Sequence, residues 1–337
     1  MRSGAGKRVD PNFFIVGAAR CGTTSLFEAM SRHGDIYCCP VKEPNYFAFD
    51  VTAERRVVAG ARREGVLIER AVGSILAPPR VAITTDYSAY LRLFDQWGGQ
   101  KAVGEASTSY LPSRVAAREI AGRFPEARIV VVLRDPVARA HSEYLMHRQL
   151  GSVSGSFREA VKPELDDIAR GVLGVRGMVL SGLYAKQVKR YLEHFRREQI
   201  LFLLFDELVR NPRRALERVF RHLGVDPGPA REIVLGWENK SRVPRFPALA
   251  ALAHRTGKRT RLLRVIPRRI RRGMRSIFYA PGEPVSAGED DRQALLEVFR
   301  DDIAATARLT GLDLSRWVWG RRAARPVGRR DAVAPGG

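Results

Sequence analysis

The 337-residue sequence predicts an α/β fold in which helices cover both faces of a parallel sheet. Short apolar runs alternate with amphipathic segments along most of the chain. The densest runs, at 129–133 and 200–205, have the length of strands that are buried on both faces. A glycine-containing loop at 17–26 follows the first apolar run and opens a helix, which is a common way to build a phosphate site.

The elements follow from these patterns in chain order. We predict strands at 12–16 and 36–38, at the start of 101–111, and within 127–136 and 200–208. Helical patterns cover 24–33, 52–71, 86–97, 113–125, 137–150, 183–195, 212–224 and 289–310. The segment 151–177 is rich in Gly and Ser with mixed charge, and we expect it to be mobile.

The composition predicts one domain at 11–319, because no segment has the character of a linker. Its C-terminal part, 239–310, is predicted to be basic and helical. Residues 1–10 are expected to form a flexible leader, and 320–337 a disordered tail. Because the N-terminus lacks the apolar region of a secretion signal, and no run approaches the ~18 apolar residues of a membrane span, we expect a cytoplasmic protein of bacterial type.

The net charge of +22 is concentrated towards the C-terminus, where 255–276 holds ten basic residues and no acidic residue. This pattern indicates either an anionic partner, such as a polysaccharide or a membrane surface touched peripherally, or a solvated helical face. Aromatic residues are not interleaved there as single-stranded nucleic acid would require, so no nucleic-acid partner is expected.

The three cysteines, Cys21, Cys38 and Cys39, do not form the spacing of a disulfide framework or a metal site. The six histidines also lack metal-site spacing. We therefore expect a reduced protein without a bound metal.

The loop GAARCGTTSL at 17–26 predicts a phosphate site of an unusual type. Its glycines allow close backbone approach, the helix start supplies N–H groups, and Arg20 supplies a permanent charge. A nucleoside-triphosphate loop has a lysine where Thr23 stands, so this loop is poorly suited to bind a γ-phosphate with Mg²⁺. A structural strand–turn–helix is the plainer alternative. The candidate ligand-binding residues are Arg20, Cys21, Gly22, Thr23, Thr24 and Ser25.

A second motif, RDPVARAHSEY at 134–144, follows a predicted central strand. Ligands of parallel sheets bind at this carboxyl end. Arg134 and Ser142 are therefore predicted to hold a second, separate phosphate. Asp135 could instead be a Walker-type magnesium ligand, although the missing loop lysine argues against that, and His141 is expected to be structural.

Together the two motifs resemble those of the sulfotransferases that use 3′-phosphoadenosine 5′-phosphosulfate (PAPS), especially the heparan-sulfate, tyrosylprotein and bacterial carbohydrate branches. The resemblance extends over about 10–320 and includes KEPNYF (42–47), GEASTSYL (104–111), SGLYAKQVKRYL (181–192) and ENKS (238–241). Ala19 stands where proline is frequent in the family. The resemblance implies a three-layer fold like that of P-loop NTPases, with a central five-stranded parallel sheet, PAPS as donor, 3′,5′-ADP as product and no metal.

The resemblance also implies roles for individual residues. Arg20 would neutralise charge on the leaving phosphate, and Glu43 would deprotonate the acceptor. Pro44, which follows Glu43, favours an extended conformation at Glu43. The alternative for Glu43 is an ordinary surface carboxylate in a loop. Lys42 either touches the sulfonate or is solvated.

Further candidates carry weaker signals. Tyr184 matches a nucleotide contact of the family, and Lys240, Arg242 and Arg245 either close over the 3′-phosphate or are solvated. A cluster in GEASTSYL either lines the acceptor side or fills the core: Glu105, Ser107 and Tyr110. The tryptophans are interpreted as core or lid packing: Trp97, Trp237, Trp317 and Trp319.

The sequence therefore predicts sulfuryl transfer to a hydroxyl or amine of a carbohydrate-like or small-metabolite acceptor, which could itself be anionic. Two alternatives remain open at this point. One is a P-loop kinase that binds ATP with Mg²⁺. The other is a non-catalytic protein that binds anionic polymers through its basic C-terminal region.

Overall fold

The computed structural model describes residues 9–52, 86–150, 152–172, 174, 177–236 and 287–319, with short strands at 62–63, 66–67, 83–84, 242–244 and 279–281. Several predictions lie outside the described residues. These concern most of the leader, Trp237, Lys240, Arg245, the basic stretch 255–276 and the tail 320–337, together with the side chains of Arg242 and Trp319.

The central sheet has five parallel strands in the order β2-β6-β1-β7-β8. A three-stranded sheet, β3-β4-β5, and a two-stranded sheet, β9-β10, are antiparallel. The strands are β1 Phe13–Gly17, β2 Ile36–Cys38, β3 Arg62–Arg63, β4 Val66–Leu67, β5 Ile83–Thr84, β6 Ala102–Ala106, β7 Arg128–Leu133, β8 Ile200–Leu204, β9 Arg242–Pro244 and β10 Tyr279–Pro281.

Helices connect and cover these strands. In chain order they are α1 Thr23–Met30, α2 Phe49–Thr52, α3 Tyr87–Leu91, α4 Ala116–Arg123, α5 Pro136–Leu150, α6 Phe157–Ala169, α7 Tyr184–His194, α8 Phe205–Arg210, α9 Pro212–Leu223, α10 Glu289–Thr310 and α11 Ser315–Trp319. None of the described helices is both long enough and apolar enough to cross a bilayer.

Burial of the central strands shows that both faces of the sheet are covered. Every residue of β1 and β6 is buried, as is every residue of β7 after Arg128. Because successive side chains of a strand point to opposite faces, continuous burial requires packing on both sides. The predicted three-layer α/β fold with a five-stranded parallel sheet is confirmed.

Two local predictions are wrong. The segment 151–177 contains helix α6, which Ser156 and Glu159 begin with a reciprocal capping box and which buries Phe157. The Gly and Ser content hid this helix because those residues flank it. Within 52–71, where we expected helix, β3 and β4 pair antiparallel, since cross-strand contacts outweigh weak local helix propensity.

Helix α10 ties the C-terminal part of the chain to helix α7. Asp302 on α10 accepts hydrogen bonds from the backbone N–H groups of Tyr184 (2.6 Å) and Ala185 (3.1 Å), so it caps α7 from another element. Burial raises the pKa of Asp302, and those two hydrogen bonds oppose the shift. Trp317 is buried against Tyr184, with ring centroids 6.1 Å apart, in agreement with its predicted packing role.

We predict that Asp302→Ala lowers the free energy of unfolding by about 1–2 kcal/mol, because the orphan N–H groups of α7 lose their acceptor. Urea denaturation measures the change. The exposed neighbour Asp301 is the control, and Asp301→Ala is expected to stay within about 0.5 kcal/mol of wild type. Equal stabilities of the two variants would contradict the capping role.

Candidate active site

The loop between β1 and α1 presents an open helix N-terminus. Gly22 is the N-cap of α1, with a left-handed φ of 80°, and no side chain caps the helix. The first N–H groups of a helix have no intrahelical acceptor, so those of Thr23, Thr24 and Ser25 face the loop without an internal partner. Backbone donors and the positive end of the helix dipole therefore fit an anion here.

Cys21, which directly precedes this open helix N-terminus, is buried in the core. Its side chain is fully buried, its N–H donates to the Ala18 carbonyl at 3.3 Å, and burial raises the pKa of the thiol to about 11. We predicted Cys21 as a donor-binding residue, but the structure places it in the core. The neighbouring Thr23 and Ser25 side chains are also buried, which leaves their backbone N–H groups as the available donors.

Arg20 joins the two motifs. Its Nε donates to Ser142 Oγ at 3.2 Å, and Arg134 donates to the Arg20 carbonyl oxygen at 3.1 Å. Burial lowers the pKa of Arg20, while the nearby charge of Glu143 acts in the opposite direction. We predicted two separate phosphate sites, one at the loop and one at Arg134 and Ser142. The structure shows that these two candidate sites adjoin, because the Arg20 guanidinium contacts Ser142.

Asp135 caps a helix rather than facing a metal. Its Oδ1 accepts from the N–H groups of Val137 (2.9 Å) and Ala138 (3.1 Å), and its Oδ2 pairs with Arg292 of α10 at 2.9 Å. Both carboxylate oxygens are thus engaged by the protein, which argues against the alternative of a Walker-type magnesium ligand. Within the described ranges, no group of three or more His, Cys, Asp or Glu side chains could hold a metal ion.

Arg134 lies at the carboxyl end of β7 and is held from two sides. Its guanidinium stacks over the Phe205 ring at 4.5 Å, and its carbonyl oxygen accepts from the Tyr184 hydroxyl at 3.0 Å. Tyr184 is only 1% exposed, so it supports the backbone of Arg134 from the interior. The predicted nucleotide contact of Tyr184 is replaced by this supporting role.

A buried ion pair below Arg20 was missed in the sequence. Arg139 is fully buried, donates to Glu143 at 2.6 Å one helical turn away, and also donates to the Met178 carbonyl. The i, i+4 spacing of these two residues on α5 was the available signal. Both members of the pair act on Arg20, since the charge of Glu143 raises the pKa of Arg20 and the charge of Arg139 lowers it.

His141 on the same helix packs edge-to-face on Phe157 and is buried, as predicted.

Glu43 lies in a tight turn beside the end of β6. Its N–H donates to the Ala106 carbonyl at 2.9 Å, and its Oε1 accepts from Lys42 Nζ at 2.7 Å and Thr108 Oγ1 at 3.2 Å. The Glu43 side chain is 19% exposed, so it is not an ordinary surface carboxylate. Its φ of 58° contradicts the extended conformation we expected before Pro44, because these tertiary hydrogen bonds fix the turn.

Glu105 is a buried carboxyl group that directly precedes Ala106, the residue whose carbonyl accepts from the Glu43 N–H. It accepts from the hydroxyls of Tyr110 (2.6 Å), Tyr90 (3.1 Å) and Ser107 (2.5 Å). Burial raises the pKa of Glu105 to about 7, against those three hydrogen bonds, and the charge of Glu43 adds to the rise. The core interpretation of Glu105, Ser107 and Tyr110 therefore fits their complete burial better than the acceptor-lining one. The charge of Glu105 also acts on the nearby Cys39 and Tyr191.

The comparisons with known proteins identify the family. The model of the "Sulfotransferase family" matches residues 11–228. The chain belongs to this family, which confirms the class that the two motifs predicted. The crystal structure of a sulfotransferase from Alicyclobacillus acidocaldarius superposes with a TM-score of 0.63 at 30% identity, over 92% of this chain and 99% of that one.

Curated relatives include two human enzymes of carbohydrate sulfation. Carbohydrate sulfotransferase 15 (Homo sapiens) is 24% identical over 258 residues, which cover 64% of this chain and 44% of that protein. Heparan sulfate glucosamine 3-O-sulfotransferase 6 (Homo sapiens) is 30% identical over 226 residues, which cover 67% of this chain and 55% of that protein. The chain thus spans about half the length of these relatives.

We predict that Glu105 makes stability depend on pH. Its pKa is raised from 4.5 to about 7 on folding, so the folded protein binds this proton more tightly than the unfolded chain. This contribution is fully present below pH 4.5 and is lost as the pH rises through about 7. Chemical denaturation across this range should show a fall of up to about 3 kcal/mol in wild type that Glu105→Gln lacks. Parallel pH profiles of the two proteins would contradict it.

Proposed function

We propose that the protein transfers a sulfuryl group from PAPS to a hydroxyl or amine of a carbohydrate-like or small-metabolite acceptor and releases 3′,5′-ADP. The observation that carries this proposal is the hydrogen bond from Arg20 to Ser142. It puts the helix-terminus site and the Arg134 site next to each other, so one ligand with two separated phosphate groups could occupy both. Membership of the sulfotransferase family supports the same donor.

In the proposed donor site, each phosphate group of PAPS is held by residues whose chemistry fits it. Gly22 and the first N–H groups of α1 would hold the 5′-phosphosulfate, while Arg134 and Ser142 would hold the 3′-phosphate. Arg20 lies between them, where its fixed charge would stabilise the negative charge that grows on the leaving phosphate. This stabilisation acts mainly in the transition state, which is where it accelerates the reaction.

The acceptor side of the proposal rests on Glu43. The acceptor oxygen or nitrogen would form a bond to sulfur while the bond from sulfur to the 5′-phosphate oxygen breaks, and Glu43 would take the acceptor proton. A positioned general base of this kind contributes about 10²–10⁴ to the rate. Lys42 donates to the Glu43 carboxylate at 2.7 Å and therefore fixes its orientation. In the proposed complex, Lys42 would also contact the sulfonate.

The acceptor class is proposed from the relatives. Those named above are a carbohydrate and a heparan sulfate sulfotransferase, so a sugar hydroxyl or amine is the first class to test. The family match and the capping role of Asp135 favour this function over a magnesium-dependent kinase. They also favour it over a non-catalytic polymer binder, which would not need a joined pair of phosphate motifs.

We predict that 3′,5′-ADP binds without Mg²⁺ and that Arg134→Ala weakens this binding by about 10–100-fold. The expected loss follows from one charge-assisted contact of about 1.5–3 kcal/mol. Isothermal titration calorimetry with 3′,5′-ADP, and with ATP in the presence of Mg²⁺, measures both affinities. The exposed Arg118→Ala is the control for loss of net charge. A preference for ATP with Mg²⁺ would overturn the proposed donor.

We predict that Glu43→Gln keeps the affinity for 3′,5′-ADP and loses about 100-fold or more of the turnover, because the amide cannot accept the proton. Transfer of radiolabelled sulfate from PAPS to completely desulfated, N-acetylated heparin, with chondroitin as a second acceptor, measures the turnover. The control is Glu232→Gln, which changes an exposed carboxylate. Turnover of Glu43→Gln near that of the control would remove Glu43 from the mechanism.

A further inference from the structure

Four consecutive residues after Glu105 hold the turn that contains Glu43. The Ala106 carbonyl accepts from the Glu43 N–H, and Thr108 donates to the Glu43 carboxylate. Ser107 Oγ accepts from the Asn45 N–H at 3.1 Å, and Ser109 donates to the Asn45 side-chain oxygen. The side-chain amide of Asn45 then donates to the Glu43 carbonyl at 2.5 Å. The turn is therefore fastened at several points to a single segment.

This turn requires support because its backbone is unusual. Glu43 and Asn45 both have positive φ, 58° and 55°, which side chains other than glycine rarely adopt. Such conformations cost free energy and persist only where the surroundings hold them. The hydrogen bonds from the segment 106–109 supply that support, and the one from the Asn45 N–H to Ser107 Oγ ties the second strained residue to this segment.

The orientation of the Ser107 hydroxyl is set by Glu105. An ionised carboxylate can only accept hydrogen bonds, so the Ser107 hydroxyl must direct its hydrogen towards Glu105. Its lone pairs are then directed away from Glu105 and remain available for the Asn45 N–H. Tyr90 and Tyr110 complete the set of donors around the same carboxylate and hold it in place. The resulting chain of hydrogen bonds has a fixed direction from Asn45 through Ser107 to Glu105.

We propose that Glu105 is a positioning residue for catalysis, which acts through Ser107 and Asn45 to hold Glu43 in its left-handed turn with the carboxylate oriented towards the acceptor. This inference rests on the proposed role of Glu43 as the base. Glu105 is completely buried and meets hydroxyls of the protein, so it acts through Ser107 and not by contact with a substrate. A solvent-facing carboxylate at this position could not impose the same direction, because water would compete for the Ser107 hydroxyl.

The test compares Glu105→Gln and Ser107→Ala with wild type. At about pH 8.5, well above the pKa of about 7, most Glu105 side chains are ionised in wild type. Each variant should there lower kcat at least about 10-fold for transfer from PAPS to completely desulfated, N-acetylated heparin. The dissociation constant for 3′,5′-ADP should change less than about 3-fold. Because both changes break one chain, the double variant should lose less than the product of the two single losses. Thr310→Val removes a buried hydroxyl on α10 outside this chain, and it should keep wild-type kcat.

Hydrogen exchange gives a readout that does not need an acceptor. In both variants the peptide 42–47 should exchange its backbone hydrogens faster, while the loop peptide 20–26 should keep the wild-type rate. The positioning role would be overturned if hydrogen exchange at 42–47 kept the wild-type rate in both variants. It would also be overturned if both variants kept the wild-type kcat while Glu43→Gln turned over slowly. If Glu43→Gln itself keeps full turnover, the proposed base fails, and the exchange result still decides whether Glu105 holds the turn.

Discussion

The site depends on one geometric constraint, the alignment of β6, β1 and β7 as adjacent parallel strands whose carboxyl ends meet at one edge. Backbone hydrogen bonds continue this alignment into the loops, from Ser107 to Ile15 (3.0 Å), from Leu111 to Val16 (2.8 Å) and from Ala18 to Val132 (2.7 Å). The phosphate loop, the turn of Glu43 and the second motif are therefore fixed relative to each other before any ligand binds. Preorganisation of this kind avoids a reorganisation cost during the reaction.

Charge at this edge is concentrated and mostly shielded from water. Arg20 and Arg134 approach each other closely, and the buried pair of Arg139 and Glu143 lies below them. Like charges held together in a poorly solvated place favour an anionic ligand, because it supplies the missing counter-charge. Asp135 does not offset these arginines at the site, since it is used by α5 and Arg292. The arrangement suits a ligand with several phosphate oxygens and no accompanying metal.

Elements distant in sequence act as the supports of the site. Helix α10 lies beyond the matched family region of 11–228, yet it caps α7 through Asp302 and pairs with Asp135 through Arg292. On the other side of the site, Glu105 accepts hydrogen bonds from three hydroxyl groups. One of them, Ser107, also accepts from the Asn45 N–H in the turn that contains Glu43. In both cases a buried or partly buried carboxylate accepts several hydrogen bonds, which makes its position well determined.

The sequence by itself determined the α/β class, the order of the sheet-forming strands along the chain, and the two phosphate motifs, since these depend on local periodicity and on short-range loop chemistry. It did not predict α6, whose flanking Gly and Ser residues hid it, or the left-handed turn at Glu43, where Pro44 suggested an extended chain. Tertiary structure alone decided that Arg20 contacts Ser142, that the side chains of Cys21 and Tyr184 are buried, and that Glu105 accepts hydrogen bonds from three buried hydroxyl groups. These facts depend on contacts between residues far apart in the sequence, such as Arg20 and Ser142, 122 positions apart, which local sequence preference cannot encode.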